Sequence, residues 1–197
     1  MAFDVRLHVK IVCALSVESV GALRPDVLVL PERTTRLELL RAQDRWPHCI
    51  VVGAVAEGEH IRGHLFSGGT DHIEYLKVQD DSVSRGVRYL PERFIYESGM
   101  YAIAVMICRD LQLVELRERI RSQFQRSVAR FKVVCIPGDM GSEWFSSEPH
   151  SVVGGAYLAM SNNWRMGYTR RASFIAAPDG HILQEQEKYE AIAADAT

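Results

Sequence analysis

Four apolar runs, each short and each ending on a polar residue, a proline or a glycine, limit what this chain can fold into. They are "DVLVLPE" from Asp26, "CIVVGAVAE" from Cys49, "AIAVMIC" from Ala102 and "KVVCIPG" from Lys132. Runs of this length, rich in β-branched residues, read as strands, and the continuous character of "DVLVLPE" marks a strand covered on both faces. Helical patterns follow two of them. "TTRLELLRAQDRW" predicts a helix with Thr34 or Thr35 as its N-cap. In "LQLVELRERIRSQFQRSVARF", Leu113, Leu116, Ile120, Phe124, Val128 and Phe131 recur every three or four positions and predict one helix with a single apolar stripe.

The segments between them are strand-like. "VRLHVKIVCAL" alternates, and Ser16 to Leu23 fits a short helix. "HIRGHLFS", the turn "GGTD" and "HIEYLKV" predict a hairpin, and "ERFIYESGMYAIAVMIC" a second one, turning at Glu97-Ser98-Gly99. "AYLAMSN", "RASFIAAPDGHIL" and "AIAADA" supply late strands. Buried strands alternating with helices and interrupted by hairpins imply an α/β fold with mixed sheets. No internal repeat or linker divides residues 1–197, which are read as one domain.

Charge and cysteine usage narrow the classes. A formal net charge of −2 gives no electrostatic reason for a nucleic-acid partner, and the arginines between Arg117 and Arg130 alternate with glutamates as on a solvated helix face. No apolar run reaches the ~20 residues of a membrane span, and the N-terminus lacks a signal-peptide pattern. Cys13, Cys49, Cys108 and Cys135 form no C-x-x-C pair and mostly sit inside strand-like runs, as small buried hydrophobes do. A reduced, cytoplasmic protein is the expectation.

The chain carries no G-x-S-x-G elbow, P-loop or G-x-G-x-x-G fingerprint. His60 and His64 are four apart, but on a strand that spacing separates them, so no metal site is assigned and no cofactor is expected. Three polar residues stand at ends of apolar strands: Glu32, Lys77 and Cys108. If those strands lie side by side, a carboxylate, an ammonium and a thiol converge at one sheet edge, where open α/β sheets build their sites. The carboxylate can take the thiol proton, while the ammonium favours the thiolate and can meet an oxyanion. Arg109 and Asp110 then start the long helix, where an aspartate suits the helix dipole. A different cysteine hydrolase would pair Cys108 with a histidine, His150 or His181.

At these residues the sequence resembles the nitrilase, or carbon–nitrogen hydrolase, superfamily, whose Glu-Lys-Cys triad appears in this order. The family's "(V/L)xPE" is met by "VLPE" at Val29–Glu32, its "Y-x-K" by "YLK" at Tyr75–Lys77, and its "IC-x-D" by "ICRD" at Ile107–Asp110. "VVGAVAE", "LFS", "AMSNNW" and "SFIAAPDG" agree with further family patterns. The resemblance implies a four-layer α-β-β-α sandwich, commonly assembled as dimers facing helix layer to helix layer. It implies amide hydrolysis through a thioester on Cys108, with Glu32 as general base, Lys77 as oxyanion stabiliser and the backbone N–H of Arg109 beside it. Trp144, in "GDMGSEWF", lies in a stretch suited to wall a pocket for a small amide or nitrile substrate, with core packing as the alternative reading. The chain is short for the family, and a second active-site acid (Glu92, Asp80 or Asp81) is not assigned. The alternative reading is a catalytically silent domain of the same fold that serves as a binding or assembly module, working with a partner protein.

Overall fold

The computed structural model describes residues 8–77, 95–139, 155–162, 173–186 and 191–197. Trp144, His150, Asp80, Asp81 and Glu92 lie outside them.

Among the described residues, twelve strands form two six-stranded mixed sheets. β1 (Val9–Cys13), β2 (Val27–Thr34), β3 (Ile50–Glu57), β4 (His60–Ser67), β5 (Thr70–Leu76) and β12 (Ile192–Ala196) make the first, in the order β12-β1-β2-β3-β4-β5. The second contains β6 (Ile95–Ser98), β7 (Tyr101–Val105), β8 (Phe131–Gly138), β9 (Tyr157–Asn162), β10 (Ser173–Ala176) and β11 (Ile182–Gln186), in the order β11-β10-β9-β8-β7-β6. Each sheet has three parallel strands at its centre, β1-β2-β3 or β7-β8-β9, with antiparallel strands on both sides. Parallel neighbours need a crossover, and a helix supplies it twice: α1 (Arg36–Arg45) between β2 and β3, and α2 (Val114–Arg126) between β7 and β8.

The alternation of strand side chains separates the layers. Ile11, Cys13, Val27, Val29, Val52 and Leu65 point into the space between the sheets and join Val133, Cys135 and Ala159 in one core. Their neighbours Val12, Leu28, Leu30, Val51 and Phe66 face the other way, against Leu39 and Ala42 of α1. α2 buries Leu116, Ile120 and Phe124. The result is the expected α-β-β-α sandwich, with one α-helix on each outside among the described residues. A Ser161 Oγ–H donated to the Ala14 carbonyl at 2.8 Å ties β9 to the end of β1 across the sheets.

Local chemistry explains the element ends. Thr35 caps α1: its Oγ1 accepts from the Glu38 N–H at 3.1 Å, and the Glu38 carboxylate accepts from the Thr35 N–H at 3.0 Å, a reciprocal capping box. α1 can approach the sheet closely because β3 offers Gly53, where an added Cβ would stand 2.7 Å from Leu39 Cδ2.

Three expectations need correction. The apolar stripe of α2 stops at Phe124: the helix ends at Arg126, Val128 is fully exposed, and Phe131 opens β8. Sequence periodicity runs on because a strand's first inward residue happened to fall in helical phase. The second hairpin turns at Gly99-Met100, since Ser98 pairs with Tyr101, and Gly99 has a φ of 56°. Asp110 does not sit at the start of the long helix. Residues Cys108–Gln112 form a separate 3-10 turn, and Asp110 is buried within it.

Candidate active site

The two crossover units place Glu32 and Cys108 in matching positions. Glu32 lies near the C-terminal end of β2 and Cys108 just beyond that of β7, each ahead of the helix that returns the chain. Since β2 packs on β8 and β9, the two sheet ends face each other. Both places are conformationally unusual. Arg33, directly after Glu32, has a φ of 68°, and Cys108 a φ of 48°. They are the non-glycine residues with positive φ among the described residues. A side chain held there costs about 1–3 kcal/mol, and such strain concentrates at functional sites.

Lys77 comes from the far edge of the first sheet. It follows β5 and is anchored by its N–H to the Ile61 carbonyl at 2.8 Å. Reading across the register from Glu32, the facing positions are Ala54, Gly63 and Tyr75. The two strands between thus contribute no side chain larger than a methyl, which leaves room for the lysine stem. Its Nζ reaches both carboxylate oxygens of Glu32 at 3.0 Å. The pair is buried, with 10% of the lysine side chain and 5% of the glutamate side chain exposed.

Cys108 completes the cluster. It is 3% exposed, its thiol hydrogen-bonds Glu32, and its sulfur accepts the backbone N–H of Asp139. Burial, then the Glu32 charge, push this thiol up to about 12, outweighing the opposite pull of Lys77. The ammonium favours the thiolate, as expected, without prevailing over burial and the Glu32 charge. Cys108 rests as a thiol against a carboxylate. Burial works against the Lys77 ammonium, but the acidic groups around it, Cys108, Glu32 and Asp110, raise its pKa, so it remains charged. Arg109 occupies the second position of the 3-10 turn that opens at Cys108.

One further group was missed in the sequence. Asp139 directly follows β8, and its side chain is 7% exposed with Oδ2 3.2 Å from Arg33 Nε. Its carboxyl is raised by burial, against the opposing pull of Arg33 and Lys77. Only its place after a strand end, shared with the other three, hinted at it.

Other candidates sit elsewhere. His181 is exposed in the β10–β11 connection. The register puts that connection at the opposite end of the second sheet from Cys108, because Ala176 pairs with Leu158 and Ser173 with Ser161. His64 is fully buried on the α1 side, with Nδ1 2.7 Å from Asp71 Oδ2. Ligand atoms of His64, Asp71 and Glu74 lie within 4.8 Å of one another. The two carboxylates already meet guanidiniums, Asp71 that of Arg36 at 3.8 Å and Glu74 that of Arg62 at 3.2 Å. No described helix is long and apolar enough to cross a membrane.

Comparison with solved structures agrees with this architecture. Nit3 of Saccharomyces cerevisiae, a member of branch 10 of the nitrilase superfamily, superposes with a TM-score of 0.72 at 14% identity, over 95% of this chain and 89% of that one. This is the nitrilase fold. An amidase from Nesterenkonia sp. matches it at a TM-score of 0.65 and 16% identity, over 96% of this chain and 90% of that one. A mutant of that amidase, carrying the acetamide moiety of fluoroacetamide covalently on its active-site cysteine, matches with a TM-score of 0.63 at 16% identity, over 96% and 90% of the two chains. Comparison with protein-family models and with curated protein sequences gave no match.

Proposed function

We propose that this nitrilase-like protein hydrolyses a non-peptide carbon–nitrogen bond, as an amidase acting through a thioester on Cys108. The observation that carries the reading is the buried contact of Lys77 Nζ with both Glu32 oxygens at 3.0 Å, with the Cys108 thiol hydrogen-bonded to the same carboxylate. A buried ion pair costs several kcal/mol of desolvation that its attraction only partly repays. A purely structural role for such a buried pair beside a strained cysteine is therefore unfavourable.

The chemistry follows from the contacts. An amide resists hydrolysis because charge builds on oxygen while the amine leaves badly. Glu32 removes the thiol proton as sulfur attacks the carbonyl carbon, and the Lys77 ammonium and the Arg109 N–H meet the oxyanion. Glu32 passes the proton to the departing nitrogen, leaving an acyl group on sulfur. Water, deprotonated by Glu32, then releases the acid and restores the thiol. No step needs a cofactor. Covalent addition of the acetamide moiety of fluoroacetamide to the active-site cysteine of the Nesterenkonia amidase mutant supports a nucleophilic role for the cysteine here.

Incubation with short-chain amides, followed by intact-mass measurement, tests it. Wild type should release acid and show a transient acyl adduct on Cys108. Cys108→Ala should do neither, and Lys77→Ala should lose about 10²–10³ in rate. Undiminished hydrolysis by Cys108→Ala would sink the mechanism.

A further inference from the structure

Asp139 Oδ1 is buried and has no hydrogen-bond partner among the described residues. The rest of the residue is fixed on both sides. Its backbone N–H is spent on the Cys108 sulfur, and its Oδ2 is held 3.2 Å from Arg33 Nε. Arg33 belongs to β2 and Asp139 follows β8, so this ion pair clasps the two sheets beside the nucleophile. With Oδ2 engaged, the carboxylate cannot turn to satisfy its other oxygen. A buried acceptor left bare is a standing cost, and such groups in native structures call for an explanation.

The proposed reaction leaves a matching requirement open. When sulfur attacks a carboxamide, the oxygen side is taken by Lys77 and the Arg109 N–H. The nitrogen side of an unsubstituted amide presents two N–H donors, and Glu32 can accept one. We propose that Asp139 Oδ1 accepts the other, making the site selective for primary carboxamides over esters of the same acyl group. The inference rests on the amidase reading and deepens it to a substrate class. Asp139 keeps its proton state throughout: the amide loses ammonia to give the thioester, and water converts that to the acid. An ester offers an alkoxy oxygen in place of the NH₂ group, so two acceptors would face each other. A site built around a substrate N–H discriminates strongly against a partner lacking it.

The test compares two Michael acceptors, acrylamide and methyl acrylate, as labels of Cys108 in the full chain, with free cysteine as the reference. Peptide mass mapping gives the amide-over-ester rate ratio at Cys108. In wild type that ratio should exceed the free-cysteine ratio by roughly ten- to hundredfold, the range of one hydrogen bond to a charged group. Asp139→Asn should bring it down to the free-cysteine value, because Arg33 faces the remaining oxygen and the new NH₂ group stands where Oδ1 was. Asp139→Ala, which removes both oxygens and keeps the backbone N–H, should do the same. The ratio is read within each variant, so a general loss of reactivity does not imitate the result. An unchanged ratio in both variants, or a wild-type ratio equal to that of free cysteine, overturns the proposal while leaving Cys108 as the nucleophile. No labelling of Cys108 by either reagent would remove the amidase reading and this inference with it.

Discussion

Lys77 Nζ stands 3.0 Å from both oxygens of Glu32, although 45 positions and two intervening strands separate the residues. The contact places a positive charge against the carboxylate that also holds the Cys108 thiol. Its electrostatics can be read from outside, through the reactivity of the sulfur.

Alkylation of Cys108 should rise with pH and not level off below pH 10, because the thiol is pushed up to about 12. The signs for the two neighbours are opposite. The Glu32 charge raises the thiol pKa and the Lys77 charge lowers it. Glu32→Gln should therefore lower the pH at which Cys108 labelling by iodoacetamide sets in, even as it stops turnover, and Lys77→Met should raise it. Cys13, Cys49 and Cys135, all pushed up chiefly by burial, serve as internal standards. A pH dependence unmoved in Glu32→Gln would show that the carboxylate's field does not reach the thiol.

Strain at the nucleophile should be measurable as stability. Cys108 has a φ of 48°, a region that glycine enters without the Cβ penalty of about 1–2 kcal/mol. Cys108→Gly is expected to unfold at higher urea than Cys108→Ala, by about 1 kcal/mol in free energy. Equal midpoints would mean that the turn, and not the residue, sets this geometry.

The fit of α1 on the sheet depends on Gly53. A Cβ there meets Leu39 Cδ2 at 2.7 Å, with Thr34 Cγ2 and Leu30 Cβ next at 3.5 and 3.6 Å. Gly53→Val should cost about 1–3 kcal/mol by urea denaturation, the usual range for overpacking. Adding Leu39→Ala should recover part of that loss, which a cost unrelated to the Leu39 contact would not allow.

Thr35 governs the start of the same helix from an exposed position. Its capping box with Glu38 predicts a loss of about 1 kcal/mol for Thr35→Ala and much less for Thr35→Ser. Val128, though apolar, is fully exposed, so Val128→Lys should change stability by less than about 0.5 kcal/mol.

By itself the sequence determined the inventory of strands and the polar residues at their ends. Runs such as residues 27–30 and 102–107 are buried on both faces, because every side chain in them is apolar. Local signals of this kind also narrowed the cap to Thr34 or Thr35, of which the structure uses Thr35, and located the first hairpin, since capping and two-residue turns depend on neighbours only a few positions apart. Periodicity misjudged the end of α2 for the same reason: it measures spacing, and spacing does not say whether Val128 has anything to pack against. Tertiary structure decided which strand ends meet. Three parallel strands at the centre of each sheet bring Glu32 and Cys108 to one end of the sandwich, and a row of small residues lets Lys77 join them from the edge. Only there is the Cys108 thiol pushed above its ordinary range, since burial and the Glu32 charge act on it through space. Asp139 was likewise invisible, because its partners, Arg33 and the Cys108 sulfur, come from distant parts of the chain.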